Sequence, residues 1–506
     1  MQYGFVIDHR KCIGCHACTV ACKSENDVPV GSFRTWVKYT EIGTFPTIKR
    51  HFAVLRCNQC TNAPCVTICP VTALDKRPDG IVDLDRDACI GCKACMQACP
   101  YDAIYLNEDT GGAEKCHYCA HRVEQGLKPA CEIVCPEEAI ISGDLHDPES
   151  AVARLAATAG STVRRPEQET GPNVFYLGMD PVSLEPGLAA EPDTWLWSER
   201  RLDPPDWPET HDVWPDARTT WNADHDVLWG WKVSAYLVTK GIAAGAAMLA
   251  WLPAMAGATG FGADWLPEIL ALGFTLVTVT LLIADLKRPL LFFRLMTRPN
   301  TKSWLVKGGW VLSAFGAVSA AILAARFLGY PGLADALRWP NVVLGALTAG
   351  YTAWLFAQCE GRDLWQDANG LLKHLLFQAL MLGSISLLCG VVPSVPASWI
   401  LCGIFAVSTA AHFWFALGKL HKDHPTANAR QAASLLQRIP IRRGSEWMAF
   451  RTGLTLTNGA AALLLLAAAL GAFAPPLSML IAVISAFGLY CYEQAYVRAA
   501  QIPPLS

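Results

Sequence analysis

The sequence predicts a protein of two parts, a cysteine-rich N-terminal region and an all-α C-terminal bundle of transmembrane helices. Sixteen of the 20 cysteines lie between Cys12 and Cys135, and long apolar stretches recur after Trp229. Only 17% of the 506 residues are charged and 52% are hydrophobic, whereas soluble globular proteins contain roughly 25% charged residues. This composition excludes a disordered chain and a nucleic-acid-coating protein.

The cysteines form four quartets, each of which begins with C-x2-C and ends with C-x3-C. In the first and third quartets the full run is C-x2-C-x2-C-x3-C, which suits three thiolates around one iron–sulfur cube and a fourth on a neighbouring cube. Proline follows the last cysteine of three quartets and turns the chain away from the ligands. In chain order the quartets are Cys12, Cys15, Cys18, Cys22; Cys57, Cys60, Cys65, Cys69; Cys89, Cys92, Cys95, Cys99; and Cys116, Cys119, Cys131, Cys135.

Two other uses of these cysteines fit the pattern less well. Structural zinc sites also use C-x2-C pairs, but they separate two pairs by a longer spacer, whereas three cysteines fall within seven residues here. Disulfide frameworks belong to small secreted domains, and this region precedes a membrane region. At four thiolates per cluster, the sixteen cysteines predict four 4Fe-4S clusters.

On these quartets, residues 1 to about 180 resemble the four-cluster ferredoxin subunit of the complex iron–sulfur molybdoenzyme (dimethyl sulfoxide reductase) family. The resemblance implies an α+β fold that duplicates the bacterial ferredoxin unit, with cysteines exchanged between the first and fourth quartets and between the second and third. Some relatives replace the cysteine at the position of Cys92 and hold a 3Fe-4S cluster, so its presence favours four cubes. The implied ligand sets are set 1 (Cys12, Cys15, Cys18, Cys135), set 2 (Cys22, Cys116, Cys119, Cys131), set 3 (Cys57, Cys60, Cys65, Cys99) and set 4 (Cys69, Cys89, Cys92, Cys95).

Four clusters in one small region suit a one-electron wire between two distant sites. The remaining sequence shows no pterin-binding or catalytic pattern, so the resemblance implies a separate, large catalytic subunit that carries molybdopterin or tungstopterin. It also implies that the first and fourth quartets lie nearer that subunit and the second and third nearer the membrane.

An acidic segment rich in Pro and Trp joins the two parts. Residues 136–227 contain 19 Asp and Glu against 6 Lys and Arg, and seven Trp lie between Trp195 and Trp231. A solvated linker and a strap along the membrane face both fit this composition. We expect a cluster-binding domain at residues 1–180, a connector at 181–227 and a membrane domain at 228–506.

Eight apolar stretches of the C-terminal part are long enough to cross a hydrocarbon core of roughly 30 Å. The loops on the side of the cysteine-rich region, with Arg498, contain 15 Lys and Arg, against Arg326 and Arg338 on the other. Because short cytoplasmic loops carry the excess of positive charge, we expect an inner-membrane protein whose clusters face the cytoplasm. The opening residues lack the features of a signal peptide, which agrees. The alternative is a periplasmic cluster side, as in some relatives that are exported together with a catalytic partner bearing the signal. The predicted spans are 232–252, 266–284, 304–327, 341–358, 371–392, 397–419, 452–473 and 476–495.

Three stretches of the membrane part resemble the NrfD-type membrane subunit of polysulfide reductase. They are WGWKVSAYLVTKGIAAGA, DLKRPLLFFRLMTRPNTKSWLVKGGW and AGYTAWLFAQCEGRDLW. The resemblance implies a quinone, menaquinone or ubiquinone, bound near the cluster side, and no haem. By the same resemblance Tyr351 and His225 would bind the quinone carbonyl oxygens; a purely structural role is the alternative for each.

Quinone chemistry also needs groups that exchange protons. Asp285, at the end of the second span, is the candidate proton carrier, with Arg288 and Arg294 setting its pKa, unless this loop is only a positive interfacial loop. Lys240 lies about two turns inside the first span, where a charge is costly; it lines the quinone cavity or extends to the interface. His374 and His412 could hold a haem in principle, but helix-to-helix hydrogen bonding is favoured.

These observations predict the electron-transfer and membrane-anchor subunit of a molybdopterin-dependent quinone oxidoreductase. The alternatives are a redox-driven proton- or ion-translocating module, whose path would include Lys240, Asp285, Gln378 and Asn458, and a ferredoxin-fed quinone reductase without a pterin subunit. The far-side halves of the spans are nearly all apolar, which places the translocating module second.

Overall fold

The computed structural model describes residues 1–190, 217–224, 226–256, 258–391, 396–437, 446–470 and 474–506. The strands are β1 (Tyr3–Asp8), β2 (Thr35–Ile42), β3 (Lys49–Arg56), β4 (Leu74–Lys76), β5 (Val82–Leu84), β6 (Ile104–Asn107), β7 (Gly112–Lys115), β8 (Ile140–Asp144), β9 (Val174–Leu177) and β10 (Ala217–Trp221). Short helices lie among them: α1 (Ala17–Asn26), α2 (Pro64–Ile68), α3 (Ala94–Ala98), α4 (Ala120–Val123), α5 (Ala130–Ile133), α6 (Ala151–Ala156) and α7 (Pro181–Leu184).

The N-terminal region is built from small sheets. β1 is central in a sheet of order β8-β1-β9, antiparallel to β8 and parallel to β9. A second sheet has the order β10-β2-β3, and the pairs β4-β5 and β6-β7 are separate hairpins. Each hairpin starts a few residues after a quartet ends, at Cys69 and at Cys99. This arrangement confirms the predicted α+β, ferredoxin-like character of the cysteine-rich region.

Strand β10 lies inside the segment that the composition predicts to be a connector. It pairs antiparallel with β2, and Arg218 forms an ion pair with Glu41 of that strand at 2.6 Å. The indole Nε1 of Trp36 donates to Asn222 Oδ1 at 2.9 Å. The described end of the connector is therefore part of the N-terminal sheet, because alternate β10 side chains are buried there although the surrounding sequence is acidic.

The C-terminal region is helical. Its elements are α8 (Trp231–Met248), α9 (Leu252–Met255), α10 (Phe261–Asp264), α11 (Leu266–Asp285), α12 (Arg294–Thr297), α13 (Trp304–Phe327), α14 (Pro331–Ala357), α15 (Ala368–Leu388), α16 (Pro396–His421), α17 (Ala427–Gln437), α18 (Glu446–Ala469) and α19 (Pro475–Ala499). Short 3₁₀ turns occur at Pro166–Gln168, Pro289–Leu291 and Asp363–Trp365.

Seven helices among the described residues are long and apolar enough to cross a membrane, which makes this an integral membrane protein. They are α8 together with α9, α11, α13, α15, α16, α18 and α19. The sequence predicts eight spans, of which the fourth lies in α14. That helix has 27 residues, with Asp335, Arg338 and Pro340 in its first part, and it is not among these seven.

Helix α8 is the centre of the bundle. In its most apolar window 83% of the residues are buried, against 28% for α11. Its contact with α15 is made backbone to backbone: a Cβ at Gly245 would overlap the carbonyl of Ala379, and a Cβ at Gly383 would overlap Gly245. Small residues commonly permit such close helix packing in membranes.

This contact predicts different results for two glycine substitutions in the membrane helices. Gly245→Ala should destabilise the protein by about 1–3 kcal/mol through overpacking, whereas Gly273→Ala in α11 meets open space and should be nearly neutral. Thermal unfolding in detergent compares the two variants. Equal unfolding temperatures would show that α8 and α15 do not pack at Gly245.

Candidate cluster chain and membrane site

The thiols of sets 1 and 2 surround two separate cavities. All four thiols of set 1 line one cavity. All four thiols of set 2 line another. Helix α1 serves both, because Cys18 and Cys22 lie one turn apart on it. The loop before α1 passes close to the ring of Phe52 at Gly14, whose φ of +71° suits a residue without a Cβ.

The thiols of sets 3 and 4 also meet as the cysteine exchange implies. Cys65 on α2 interacts electrostatically with Cys57, Cys60 and Cys99, the other members of set 3. Cys95 on α3 interacts with Cys69, Cys89 and Cys92, the other members of set 4. Helices α2 and α3 pack against each other, so these two sets are neighbours.

Burial makes these thiols poor acids in the absence of a positive partner. Burial, opposed by Arg56 and assisted by the thiols of Cys131 and Cys12, raises the pKa of Cys18 to about 12. Burial and the Cys57 thiol raise the pKa of Cys99 to about 11. Cluster irons supply the positive charge that holds such sulfurs as thiolates. The donor set of four sulfurs around one cavity therefore fits a 4Fe-4S cluster.

Backbone amides point at cysteine sulfurs of two sets. Ala113 donates its N–H to Cys89 Sγ at 3.4 Å, and Ala139 donates to Cys135 Sγ at 3.2 Å. Hydrogen bonds to cluster sulfurs are one of the protein's means of tuning cluster potentials.

Buried cations lie where neighbouring sets meet. Arg56 Nη1 donates to Cys131 Sγ of set 2 at 3.2 Å, and Arg56 also interacts electrostatically with Cys18 of set 1. Lys115 donates to the carbonyl of Cys116 at 2.9 Å and interacts with the set 3 thiols of Cys57 and Cys65. Positive charge is thereby placed between sets 1 and 2 and between sets 2 and 3.

The loop between α11 and α13 binds the N-terminal region through backbone carbonyls. Arg288 donates to the carbonyls of Thr110 at 2.7 Å, Arg86 at 2.7 Å and Cys89 at 3.2 Å. Arg294 donates to the carbonyl of Asp87.

The other end of this loop holds the end of α2. Asn300 Nδ2 donates to the carbonyl of Cys69 at 2.8 Å, and Ser303 Oγ donates to that of Ile68 at 2.7 Å. The loop thus fixes the segments that carry set 4 against the membrane helices.

These contacts correct the role predicted for the two arginines. Both bind carbonyls of the cysteine-rich region, and among the described residues the ion partner of Asp285 is Lys93, at 2.9 Å. Lys93 lies between Cys92 and Cys95, so Asp285 connects α11 directly to set 4. His225, the other predicted quinone ligand near this surface, lies outside the described residues.

Lys240 and Tyr351 meet inside the bundle. The ammonium of Lys240 donates to Thr352 Oγ1 and lies 4.6 Å from the centroid of the Tyr351 ring and 5.8 Å from that of Tyr236. All of these side chains are buried. The Tyr351 ring is held against α13, where a Cβ at Gly308 would overlap it.

An aromatic stack leads from set 4 into the helices. Trp229 Nε1 donates to the carbonyl of Cys92 at 3.4 Å. The Trp229 ring stacks on Trp365 with centroids 5.7 Å apart, and Phe356 stacks on Trp365 at 4.5 Å. Phe356 is only a few residues from Tyr351 on α14, so the stack lies between set 4 and the Lys240 site.

A second polar group in the helices has at its centre an acid that was not predicted from the sequence. Glu493 on α19 is 3% exposed and accepts a hydrogen bond from Gln378 Nε2 at 2.6 Å. His374 Nε2 lies 2.7 Å from His412 Nδ1, so the two rings are in direct contact. A charge inside a predicted span was the signal that identified Lys240, and the same search of the last span finds Glu493.

Two parts of the chain match known protein families. Residues 48–145 match the family described as 4Fe-4S dicluster domain, and residues 220–392 match the family described as polysulphide reductase, NrfD. A subunit of tetrathionate reductase from Salmonella typhimurium is 43% identical to the chain over 199 residues, a match that covers 38% of this chain and 80% of that protein.

Two further relatives match a similar share. An iron-sulfur subunit assigned to a dimethyl sulfoxide reductase in Halobacterium salinarum is 40% identical over 232 residues, 40% of this chain and 85% of that protein. A subunit of selenate reductase from Mesobacillus selenatarsenatis is 40% identical over 210 residues, 35% of this chain and 72% of that protein.

The loop contacts predict that Arg288 fastens the two regions together. Arg288→Ala should lower the unfolding temperature, because a lost hydrogen bond to a charged group costs about 1.5–3 kcal/mol. Arg298→Ala is the matched control, since Arg298 is exposed and makes one 3.4 Å contact with Asp85. Tryptophan fluorescence during heating in detergent measures both variants. An Arg288→Ala variant as stable as the control would contradict the assignment.

Proposed function

From the premise that this chain belongs to the family of dimethyl sulfoxide reductase-type iron–sulfur subunits, here fused to an NrfD-type membrane anchor, we propose that it passes electrons between a separate pterin subunit and a membrane quinone. The observation that carries the proposal is the junction at set 4. There Cys92 meets Trp229, and Lys93 meets Asp285, next to the helices that bury Lys240 and Tyr351.

The four ligand sets form a row in this proposal. Cavities, thiol contacts and shared cations support the order set 1, set 2, set 3, set 4. When bound, the 4Fe-4S clusters supply one-electron transfer. The protein's own part is to hold sixteen sulfurs, exclude water around most of them and place positive charge between neighbouring sets.

The far end of this row suits a partner protein. Cys15 of set 1 is exposed, and Ile13, Val20 and Ile133 nearby are exposed by 55%, 64% and 55%. Exposed apolar side chains grouped on one surface mark interaction sites. We assign this surface to the large molybdopterin or tungstopterin subunit, in keeping with the reductase names of the relatives.

Helix α14 serves as the eighth span in the proposed topology. The chain enters α8 beside Cys92, through Trp229, and leaves α19 at Gln501, which bonds the carbonyl of Trp229 at 2.8 Å. Both ends therefore lie on the cluster side, which requires an even number of crossings. With seven candidates already assigned, α14 supplies the eighth.

The proposed domains are the predicted ones with one change, that the N-terminal unit includes β10. We assign its side of the membrane to the cytoplasm on the excess of Lys and Arg in the loops there. Part of that excess serves the contact between the two regions, as Arg288 and Arg294 show.

The quinone site is assigned to the cluster side of the bundle, at Lys240 and Tyr351. His225, which lies outside the described residues, stays a predicted ligand of this site. Reduction of a quinone needs two electrons and two protons, so its carbonyl oxygens need donors that can pass protons on. Lys240 is oriented by Thr352, and the Tyr351 ring is fixed by α13. These two residues would position the quinone and hold its protons.

The residues predicted to form an ion-translocating path make contacts that favour the quinone proposal instead. Asn458 donates to the carbonyl of Leu454 in its own helix at 2.7 Å, and Asp285 is paired with Lys93. Toward the side of the bundle opposite the clusters, Arg338 Nε and Glu268 Oε1 form a buried ion pair at 2.7 Å. A fixed ion pair suits structural stabilisation better than ion movement.

Purification of the intact complex from native membranes tests the proposed function. Molybdenum or tungsten, a large co-purifying chain and about 16 iron per chain are the expected result. Iron without a pterin metal or a large partner would overturn the molybdoenzyme assignment and favour a ferredoxin-fed quinone reductase.

Set 4 predicts a specific change in cluster type. Cys92→Ala leaves three thiolates, so the cluster of set 4 should become a 3Fe-4S cluster with about 15 iron per chain. Electron paramagnetic resonance of the oxidised protein should show a new signal. The control is Cys389→Ala, an isolated cysteine in the membrane region, and a Cys92→Ala variant identical to it would exclude Cys92 as a ligand.

The position of Arg56 predicts that its substitution changes the reduction potentials of neighbouring clusters. Arg56→Gln removes a buried positive charge beside sets 1 and 2, which should lower the reduction potentials of both clusters because the reduced state loses its stabilising partner. Redox titration measures the shift, and Arg56→Lys should restore part of it. Arg154→Gln, at an exposed ion pair with Glu149, is the control. Unchanged midpoints in Arg56→Gln would contradict this role.

A further inference from the structure

A buried group of polar side chains lies at the cluster-side ends of α15, α16 and α19. Glu493 is its one carboxylate among the described residues, and the quinone site proposed above does not use it. The group, called here the Glu493 cluster, consists of Glu493, Gln378, His374, His412, Tyr492 and Lys419.

Short contacts connect most of the Glu493 cluster. Gln378 Nε2 lies 2.6 Å from Glu493 Oε1 and 3.4 Å from His374 Nε2, which lies 2.7 Å from His412 Nδ1. The ring of Tyr492 meets both imidazoles edge to face, at 5.4 and 4.8 Å. These contacts connect the carboxylate of Glu493 to the two imidazoles in one continuous series.

Several polar atoms of this cluster have no hydrogen-bond partner among the described residues, although the ammonium of Lys419 lies 3.9 Å from the centroid of the Tyr496 ring. His374 Nδ1, His412 Nε2, the Tyr492 hydroxyl and Lys419 Nζ are buried and lack a hydrogen bond in the described part of the chain. Buried polar groups are nearly always satisfied, by protein or by water. Four such atoms in one place therefore indicate bound water, the medium through which protons move.

Glu493 differs from the other buried acids of the helices. Glu268 is paired with Arg338 at 2.7 Å and Glu446 with Arg498 at 2.8 Å. Among the described residues the hydrogen-bond partner of Glu493 is the neutral amide of Gln378. A carboxyl bonded to an amide can gain and lose a proton without breaking an ion pair, whereas a structural acid is held by its cation.

The cluster reaches toward two different places. On one side Glu493 interacts electrostatically with Lys240, the ammonium beside Tyr351. On the other side the ammonium of Lys419 lies 3.9 Å from the centroid of the Tyr496 ring, which stacks on Tyr492 next to Glu493, and it interacts electrostatically with Glu493 and Asp367. The side chain of Asp367 is 48% exposed and pairs with Lys422 at 3.2 Å on the cluster-side surface. The Glu493 cluster therefore lies between the Lys240 site and water.

We propose that Glu493 is the proton-exchanging group of the quinone site, which it connects to the cluster-side surface through Lys419 and Asp367. The inference rests on the proposed quinone reaction. One quinone takes two electrons, one at a time from the clusters, and two protons from water by way of Asp367 and Glu493, and becomes one quinol. The clusters are oxidised by two electrons in the same step, and the reverse reaction returns both protons along the same route.

The test uses the intact complex with Glu493→Gln, which keeps the size of the side chain and a hydrogen bond to Gln378. Clusters are first reduced with dithionite and then mixed with decyl-ubiquinone, and cluster reoxidation is followed by stopped-flow absorbance. We expect normal cluster spectra, reoxidation at least roughly tenfold slower, and a larger solvent deuterium isotope effect, because proton delivery becomes limiting. Glu493→Asp should recover part of the rate.

Two further variants separate the possible outcomes. Asp367→Asn keeps the N-cap bond to Gly370, so it should fold and should slow reoxidation in the same way. Glu446→Gln removes a buried carboxylate outside the cluster and should leave the rate and isotope effect unchanged. Wild-type rates and isotope effects in Glu493→Gln and Asp367→Asn would overturn this inference alone. A wild-type complex that decyl-ubiquinone fails to oxidise would overturn the proposed quinone reaction, and the inference with it.

Discussion

The junction between set 4 and the membrane helices is the constraint on which the rest of the structure depends. An electron can enter the bilayer only where a cluster and the bundle stay close, and here the ion pair of Lys93 with Asp285 and the bond from Trp229 to Cys92 hold them together. Asn300 and Arg288 add bonds to backbone carbonyls, which specify position without depending on neighbouring side chains. The two parts therefore form one continuous unit at this point.

Buried charge is treated differently on the two sides of this junction. In the cysteine-rich region, cations such as Arg56 and Lys115 lie beside sulfurs that take up negative charge with each electron. In the bundle, Arg338 with Glu268 is a closed pair, whereas Lys240 and Glu493 make hydrogen bonds to neutral groups. Closed ion pairs suit charges that only stabilise the fold, whereas hydrogen bonds to neutral groups suit the proton exchange that we propose for the quinone site.

The features that could be predicted from the sequence are those encoded within a short stretch of chain. The short spacing of the cysteines within each quartet indicates iron–sulfur ligation. The structure brings the thiols of the implied sets together. Lys240 was found because a charge inside an apolar span is unusual. Arg288 and Arg294 were misassigned because a cationic loop after a span has the same sequence whether it meets a carboxylate, lipid or protein carbonyls. The bond of Gln378 to Glu493 joins residues 115 positions apart, and the pairing of β10 with β2 is similarly distant, so only the fold reveals them.

The most direct test of the proposed electron path is whether electrons in the clusters reach a quinone through set 4. The intact complex, reduced anaerobically with dithionite and frozen at intervals after addition of decyl-ubiquinone, gives the redox state of each cluster by electron paramagnetic resonance. We predict that all cluster signals of the reduced state disappear within the same turnover as quinol forms. Clusters that stay reduced in the presence of excess quinone would contradict this path.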